Sequence, residues 1–391
     1  MAHVYFDNNA TTRVAPEVVD AMLPYLADHY GNPSSMHRMG AKAAAGLKGA
    51  RERAAACLRC RESEIVFTSG GTESNNTAIR GVLHALPGKR HLVTTRVEHP
   101  SVLEVCKELE RKGHRVTYLG VNREGELDLS ELDRAITGET AVVSIMWANN
   151  ETGVVFPIDK IAEIVAARGV LFHVDGVQAA GKIPVDLEKI RVDLLTLSGH
   201  KLHAPKGVGL LFARRQTPIH PMITGGGQER GRRSGTENLP GIVGLGIAME
   251  MAAAEPDTTA ERIRGLRDKL EESILTSIPN TARNGVPEPR LPNTTSISFD
   301  GVEGEAILLL LDEAGVCASS GSACSTGALE PSHVLKAMGL TGAEALGAVR
   351  FSLSRYTTDE EIARVIEVLP GIVRRLRGIT DTTRSTGEKT V

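Results

Sequence analysis

The sequence predicts an α/β protein with a mostly parallel sheet flanked by helices, followed by a smaller α+β domain. Between residues 60 and 215, short apolar runs alternate with helical patterns, as in chains that build a parallel sheet wrapped by helices. After about residue 256 the order changes to helices around one strand-like run. The length of 391 residues also favours two domains.

The strand candidates of the large domain, residues 12–256, are short apolar runs. In chain order they are EIVFTS, HLVTTR, AVVSIMW, VLFHVD, DLLTLS and VGLLFA. The helix candidates between them include SVLEVCKELERKG and IDKIAEIVAARG, which carry apolar residues at three- and four-residue steps and end in Gly.

The smaller domain is predicted to comprise residues 257–377 together with residues 1–11, a segment too short to fold alone. Its elements are a long helix in AERIRGLRDKLEESILTSI, a strand in NTTSISFD, a helix in EGEAILLLLDEAG and a last helix from TTDEEIARVIEVL. Residues 378–391 lack apolar periodicity, and we predict a disordered tail there.

Composition and charge argue against several classes of function. A formal net charge of −3 indicates neither a nucleic-acid partner nor an anionic membrane. The sequence shows no signal peptide and no run of about 18 apolar residues. Five cysteines, an odd number, do not describe a disulfide framework, so we expect a cytoplasmic protein. We read Cys57, Cys60, Cys106 and Cys317 as packing or surface residues and predict no metal site.

Polar and titratable residues follow five of the strand candidates. Ligands of open parallel sheets bind beyond the carboxyl ends of the strands, so we expect these residues to share one edge. They are Gly70, Gly71, Thr72 and Glu73; Glu98 and His99; Asn149 and Asn150; Asp175 and Gln178; and Ser198, His200 and Lys201. Singly, each has an ordinary interpretation, such as a helix cap for Asp175 or a turn residue for His99.

As a set, these strand-end residues match the needs of pyridoxal 5′-phosphate. A glycine-rich helix start can hold a phosphate, an imidazole can stack on a ring, a carboxylate can pair with a pyridinium, and Lys201 can bond to an aldehyde.

The stretch SSGSACSTG, residues 319–327, places Cys324 among small residues. A buried structural cysteine normally lies among large apolar side chains, so we predict a mobile, solvated loop whose thiol is reactive.

Ten motifs in one order resemble those of a known family. They are YFDNNATT, GNPSSMH, GGTESNN, EHPSV, WANNETG, DGVQAAG, SGHKLHAPKG, GGGQERGRRSGTEN, SSGSACSTG and RFSLSRYTT. From about residue 3 to residue 377 the chain resembles the cysteine desulfurases, fold type I pyridoxal-phosphate enzymes with a seven-stranded sheet in the large domain. WANNETG, GHKLHAPKGVG and EGEAILLLL are most similar to the nitrogen-fixation (NifS) type.

The resemblance implies a role for each matching residue. Lys201 would be the cofactor lysine, with Asp175 at the pyridine nitrogen, Gln178 at the ring hydroxyl, His99 stacked on the ring, and Gly71, Thr72, Ser198 and His200 near the phosphate. Thr236 would reach the phosphate of the neighbouring subunit of a homodimer. Asn150 and Arg350 would bind the substrate carboxylate, although Arg350 could by itself be a surface ion pair.

The implied reaction takes sulfur from L-cysteine, leaving L-alanine and a persulfide on Cys324, with Lys201 and His99 as the other catalytic residues. The persulfide would pass to an acceptor such as an iron–sulfur scaffold protein, with nitrogenase clusters as one destination. The alternatives are an aminotransferase or selenocysteine lyase on the same scaffold, and a thiol carrier that uses Cys324 without a cofactor.

Overall fold

The computed structural model describes residues 3–255, 257–320 and 330–387, with side chains described as far as residue 379. The strands are β1 Val4–Tyr5, β2 Ile65–Thr68, β3 His91–Thr95, β4 Arg115–Leu119, β5 Thr140–Met146, β6 Leu171–Asp175, β7 Leu194–Ser198, β8 Gly209–Ala213, β9 Thr281–Arg283, β10 Thr294–Phe299, β11 Val316–Cys317 and β12 Ala348–Ser352. The helices are α1 Pro16–Ala27, α2 Arg38–Leu58, α3 Gly71–Ala85, α4 Pro100–Arg111, α5 Leu129–Ala135, α6 Ile158–Ala167, α7 Leu239–Ala254, α8 Asp257–Ser277, α9 Gly304–Glu313, α10 His333–Ala337, α11 Gly342–Leu346 and α12 Asp359–Gly387.

The central sheet has seven strands in the order β2-β8-β7-β6-β5-β3-β4. Its pairings are parallel except for the two made by β8, which runs antiparallel to both β2 and β7. The predicted fold class is therefore confirmed. Strands β5 to β8 are buried along their whole length apart from Leu171, which explains their nearly continuous apolar runs.

The register of the central strands brings their carboxyl ends together. Met146 at the end of β5 is level with Asp175 at the end of β6, and Asp175 is level with Thr196 near the end of β7. The loops that follow these strands therefore meet at one edge, where parallel sheets bind their ligands.

Two smaller sheets are formed mainly by the C-terminal part of the chain. Strands β12, β10 and β9 form an antiparallel sheet, and β1 pairs in parallel with β11. The N-terminal segment is attached here, since Phe6 packs in the apolar cluster with Phe299 and Phe351. Ser352 also donates its backbone N–H to the Phe6 carbonyl at 2.7 Å.

Helix α12 continues to Gly387, so the backbone is helical over residues 378–387, where the sequence analysis predicts disorder. The apolar face ends earlier in this helix, but the chain contains no proline after Pro370 that would interrupt the backbone hydrogen bonds. Among the described helices, none combines the length and apolar character needed to cross a bilayer.

Candidate active site

Asp175 is a buried residue of the candidate site and lies at the end of β6. The residue is 6% exposed. Its Oδ1 accepts a 3.0 Å hydrogen bond from the Val177 backbone N–H, and its Oδ2 accepts a 2.8 Å bond from the Asn75 side-chain amide. Asp175 thus caps the turn that follows β6, where the ordinary interpretation expects a helix cap, and it is also a buried carboxylate bonded to Asn75 of α3.

His99 is joined to Asp175 by a chain of side chains. The same Asn75 nitrogen donates to Ser101 Oγ at 2.9 Å, and Ser101 Oγ lies 2.8 Å from His99 Nδ1. Nδ1 also accepts from the Ser101 backbone N–H at 3.1 Å, which leaves the imidazole proton on Nε2. Burial lowers the pKa of His99; Asp175 opposes this shift and Lys201 adds to it. His99 is therefore a neutral ring fixed at the start of α4.

Lys201 lies in the short 3₁₀ turn Gly199–Lys201 that follows β7. Its Nζ donates to the backbone carbonyls of Asn9 at 2.5 Å and Ala10 at 2.6 Å. The Gln178 side-chain amide donates to the same Asn9 carbonyl at 3.0 Å. The lysine and glutamine that the sequence predicts for the site therefore converge on one carbonyl of the N-terminal segment.

A second lysine lies beside them. Lys182 Nζ donates to Gln178 Oε1 and, at 3.0 Å, to Asn9 Oδ1. Burial lowers its pKa well below the usual range, and the positive charges of Lys201 and Arg350 add to this effect. Lys182 is not among the site residues predicted from the sequence, although it directly follows the motif DGVQAAG.

Three of the residues predicted for a phosphate, Gly71, Thr72 and Ser198, lie in or beside the first turn of α3. Its N-cap, Gly70, supplies no side-chain acceptor for the first-turn amides, which leaves donors for an anion. A Cβ atom at Gly71 would lie 3.0 Å from Val177 Cγ2 and 3.5 Å from Ser198 Cβ, so a side chain here would crowd Val177 and touch the end of β7. Thr72 in the same turn is exposed.

His200, the fourth predicted phosphate residue, lies in the 3₁₀ turn after β7. Its Nδ1 is 3.2 Å from Thr11 Oγ1. Burial lowers the pKa of His200 to about 4, and the positive charges of Lys201 and Lys206 add to the shift. At neutral pH the ring is therefore uncharged and acts as a hydrogen-bonding group.

Thr236 is exposed and lines a cavity of about 120 Å³ together with Ser69 and Arg233. Arg233 forms a bidentate ion pair with Glu73 in the first turn of α3, with nitrogen–oxygen distances of 2.9 and 3.3 Å. This pair fixes the loop that carries Thr236 next to the helix start.

Arg350 and Asn150 come together from the two sheets. Arg350 on β12 is 2% exposed, which excludes a surface ion pair. Its Nη1 donates to the Asn150 carbonyl at 2.9 Å and its Nη2 to Asp7 Oδ1 at 2.7 Å. Its buried Nε has no hydrogen-bond partner among the described residues.

Cys324 and most of the loop predicted at 319–327 lie outside the described residues. Close to the start of this gap, Ser319 and Arg350 exchange two backbone hydrogen bonds, at 3.2 and 2.6 Å. After the gap, Ser332 Oγ donates to Glu151 Oε2 at 2.5 Å. Both described ends are thus attached beside Asn150 and Arg350.

Glu98, next to His99, is fully buried. Its Oε1 accepts from Thr95 Oγ1 at 2.8 Å and from the Met146 N–H at 3.0 Å. Burial raises its pKa to about 8; the hydrogen bonds from Met146 and Thr95 oppose this shift, and the charge of Asp175 adds to it. Glu98 is therefore a carboxylic acid that keeps its proton at neutral pH.

Comparison with known proteins agrees with this geometry. The model of the family described as "Aminotransferase class-V", whose members use pyridoxal 5′-phosphate, matches residues 4–365, and this chain belongs to that family. Within it, the chain is 58% identical to a "Cysteine desulfurase" of Trichormus azollae, over 97% of this chain and 95% of the relative. It is 52% identical to "Cysteine desulfurase NifS" of Azotobacter vinelandii, over 97% of this chain and 95% of that one. These relatives place it in the cysteine desulfurase family, of NifS-like type.

A solved structure described as "NIFS-LIKE PROTEIN" superposes with a TM-score of 0.91 at 42% identity, covering 96% of this chain and all of the other. The predicted family, fold class and cofactor are thus confirmed. The described side chains fit this cofactor, because a glycine helix start, a buried carboxylate, a neutral imidazole and a lysine amine lie around one sheet edge.

Proposed function

We propose that this chain is a cysteine desulfurase that converts L-cysteine into L-alanine and transfers the sulfur to its own Cys324. The observation that carries the proposal is that Lys201, Asp175 and His99 lie at the same sheet edge as buried Arg350 and its half-buried partner Asn150. A lysine site for pyridoxal phosphate next to a carboxylate-binding arginine is the arrangement that an amino-acid substrate requires.

The cofactor would be held by residues of the strand ends. Gly71, Thr72, Ser198 and His200 would bind the phosphate, His99 would stack on the ring, Asp175 would pair with the ring nitrogen, and Gln178 would donate to the ring hydroxyl. When bound, pyridoxal phosphate supplies an aldehyde that bonds to amines and a ring that withdraws electrons from the substrate.

Asp175 would hold a proton at the ring nitrogen. Its two oxygens accept from Val177 and Asn75, and these donors stabilise a negative charge that burial would otherwise disfavour. Because the side chain is fixed at both oxygens, the carboxylate keeps one orientation towards the ring.

Lys201 would be the amine that moves the substrate α-proton. Its Nζ can rest on the carbonyls of Asn9 and Ala10, and a protonated amine gains most from two such acceptors. The substrate carboxylate would bind to the Arg350 guanidinium and to the side chain of Asn150, which Arg350 Nη1 holds through the Asn150 carbonyl.

The sulfur step needs a second thiol. The Cys324 thiolate attacks the sulfur of bound cysteine, the carbon–sulfur bond breaks, and the product carbon gains a proton to give alanine. L-cysteine and one protein thiol thus yield L-alanine and one protein persulfide, with no external oxidant or reductant.

We also propose that the enzyme acts in the cytoplasm as a homodimer, in which Thr236 reaches the phosphate bound by the partner subunit. The exposure of Thr236 supports this arrangement. The persulfide would pass to an acceptor protein such as an iron–sulfur scaffold, including one that supplies nitrogenase. The NifS name of one relative supports that destination.

A turnover assay tests the proposal. The purified protein, incubated with L-cysteine and a thiol reductant, is expected to release alanine and sulfide in equal amounts. Lys201→Ala should release neither while still binding the cofactor without a covalent bond. Alanine release by Lys201→Ala, or no alanine from the natural protein loaded with pyridoxal phosphate, would overturn the proposal.

A further inference from the structure

We propose that Asn9 is a positioning residue that holds the Lys201 amine and the Gln178 amide in place relative to Asn150. The proposal rests on the proposed function for the roles of those three residues. It concerns a residue of the N-terminal segment that belongs to none of the strand ends.

Asn9 uses its whole hydrogen-bonding capacity. An asparagine in a chain has one N–H donor, two side-chain N–H donors, and two lone pairs on each of its two oxygens. In the structure the backbone N–H donates to Ser352 Oγ (2.9 Å), Nδ2 donates to Thr294 Oγ1 (2.8 Å) and the Asn150 carbonyl (3.1 Å), the backbone carbonyl accepts from Lys201 (2.5 Å) and Gln178 (3.0 Å), and Oδ1 accepts from Lys182 (3.0 Å) and Asn293 (3.2 Å).

These partners determine which way the side-chain amide points. The Asn150 carbonyl can only accept, so it must face Nδ2, and this places Oδ1 toward Lys182 Nζ and the Asn293 side-chain amide. A flipped amide would place its oxygen against the Asn150 carbonyl, an acceptor against an acceptor. The amide orientation therefore follows from its chemistry.

The hydrogen-bond partners of Asn9 also come from both the central sheet and the C-terminal sheet. Thr294 and Ser352 lie on β10 and β12 of the C-terminal sheet, whereas Lys201 and Gln178 follow strands of the central sheet. Asn9 itself is 1% exposed. The backbone N–H and the side chain of Asn9 are both hydrogen-bonded, so its backbone carbonyl has little freedom to move. The carbonyl therefore fixes the position of the Lys201 and Gln178 side chains that donate to it.

The same residue reaches the substrate side of the site. Asn9 Nδ2 and Arg350 Nη1 donate to one oxygen, the Asn150 carbonyl, at 3.1 and 2.9 Å. Lys201 is thereby connected to Asn150 through Asn9 alone, and to Arg350 through Asn9 and Asn150. A change at Asn9 should therefore alter both the cofactor lysine and the cofactor-binding amide.

Asn8 provides a matched control. It is the same residue type, the adjacent position, and equally buried at 3% exposure. Its Nδ2 donates to the carbonyls of Tyr5 and Ser352, neither of which is a proposed site residue. Asn8→Ala and Asn9→Ala both remove buried side-chain hydrogen bonds. Only Asn9→Ala removes the bonds to Asn150 and Lys182 that fix the Asn9 backbone beside the site.

The experiment compares the natural protein with Asn9→Ala and Asn8→Ala, all prepared without cofactor. Lys201 modification by a lysine-acylating reagent is followed by mass spectrometry, with exposed Lys189 as the internal reference, and pyridoxal phosphate affinity is measured by absorbance titration. We expect Asn9→Ala to label Lys201 several-fold faster and to bind the cofactor about ten-fold more weakly, and Asn8→Ala to stay within about two-fold of the natural protein.

Two results would overturn the proposal: natural labelling and affinity in Asn9→Ala, or equally large changes in Asn8→Ala. If Asn9→Ala does not fold, Thr294→Val decides, because it removes one acceptor of the Asn9 amide at nearly constant volume; unchanged Lys201 labelling in this variant would also overturn the proposal. Labelling needs no turnover, so its result stays separate from a failure of the natural protein to release alanine.

Discussion

The Asn75 side-chain nitrogen donates a 2.8 Å hydrogen bond to Asp175 Oδ2, which joins helix α3 to the end of β6. The same nitrogen donates to Ser101 Oγ, which in turn lies 2.8 Å from His99 Nδ1. The carboxylate and the imidazole proposed for the cofactor ring therefore share one buried network. In such a network, removing one member leaves the others unpaired.

Asn75→Ala is expected to lower the rate of alanine release by about ten-fold or more, because Asp175 loses a donor and Ser101 loses its link to the carboxylate. The rate is measured at saturating L-cysteine and pyridoxal phosphate. The control is Asn76→Ala, whose side chain bonds only to Thr72 and Arg80 among the described residues and whose loss should leave the rate unchanged. Equal rates in the two variants would contradict this prediction.

Asp175→Asn separates the charge of this residue from its role as a cap. An asparagine can still accept from the Val177 N–H, but it carries no charge to hold a proton at the ring nitrogen. We expect alanine release to fall by roughly a hundred-fold or more with little change in melting temperature. Asp128→Asn, which alters an exposed helix cap, should leave the rate intact, and a natural rate in Asp175→Asn would favour a purely structural role.

Glu98 predicts a pH dependence of stability. Its pKa in the folded protein is about 8, above the value of an unfolded glutamic acid. At a pH between these two pKa values, the unfolded chain has lost the Glu98 proton and the folded protein keeps it. Because of this group, the free energy of unfolding falls by about 1.4 kcal/mol per pH unit as pH rises. The contribution is fully present at acidic pH and is lost by about pH 8.

Glu98→Gln removes this titration while keeping an oxygen acceptor for Thr95 and Met146. We therefore expect the variant to gain stability relative to the natural protein between about pH 5.5 and pH 7.5, measured by urea denaturation. Glu163→Gln, at an exposed position, is the control and should follow the natural protein. A stability difference between Glu98→Gln and the natural protein that does not change with pH would show that the carboxyl is ionised throughout.

The strand ends were predictable because they depend on local signals. Asp175, Ser198 and Lys201 each follow an apolar run, and the rule that parallel strands bind ligands at their carboxyl ends brings them together without knowledge of side-chain contacts. Strand β4 was missed for a related reason. It is the edge strand of the sheet and is exposed or half-buried at Arg115, Val116, Thr117 and Tyr118, so it lacks a continuous apolar run.

The supporting residues of the site could not be predicted in the same way. Asn75 meets Asp175 from another helix, and Asn9 meets Lys201 and Lys182 from the N-terminal segment. Asparagine and lysine are ordinary surface residues. Only long-range packing places Asn75, Asn9 and Lys182 in buried hydrogen bonds. Their one sequence signal is that each lies in, or directly beside, a motif quoted for the family resemblance.

The four described cysteines are poor candidates for the sulfur-accepting thiol. Burial raises the pKa of Cys57 to about 11 and those of Cys60 and Cys106 to about 12, and it also raises the pKa of Cys317. A raised pKa reduces the fraction of thiolate, which is the nucleophilic form. This leaves Cys324, whose small neighbours in the sequence offer no apolar burial.

Cys324→Ala is therefore expected to abolish sulfur transfer while leaving cofactor binding intact, because all residues proposed to hold the cofactor lie elsewhere in the chain. After incubation with L-cysteine, the natural protein should gain one sulfur atom per chain by mass spectrometry, and Cys324→Ala should gain none and release almost no alanine. Cys317→Ala changes a half-buried cysteine on β11 and should accept sulfur normally. If the Cys324→Ala protein keeps its pyridoxal phosphate absorbance and still releases alanine at the natural rate, another group accepts the sulfur and the assignment of Cys324 is wrong.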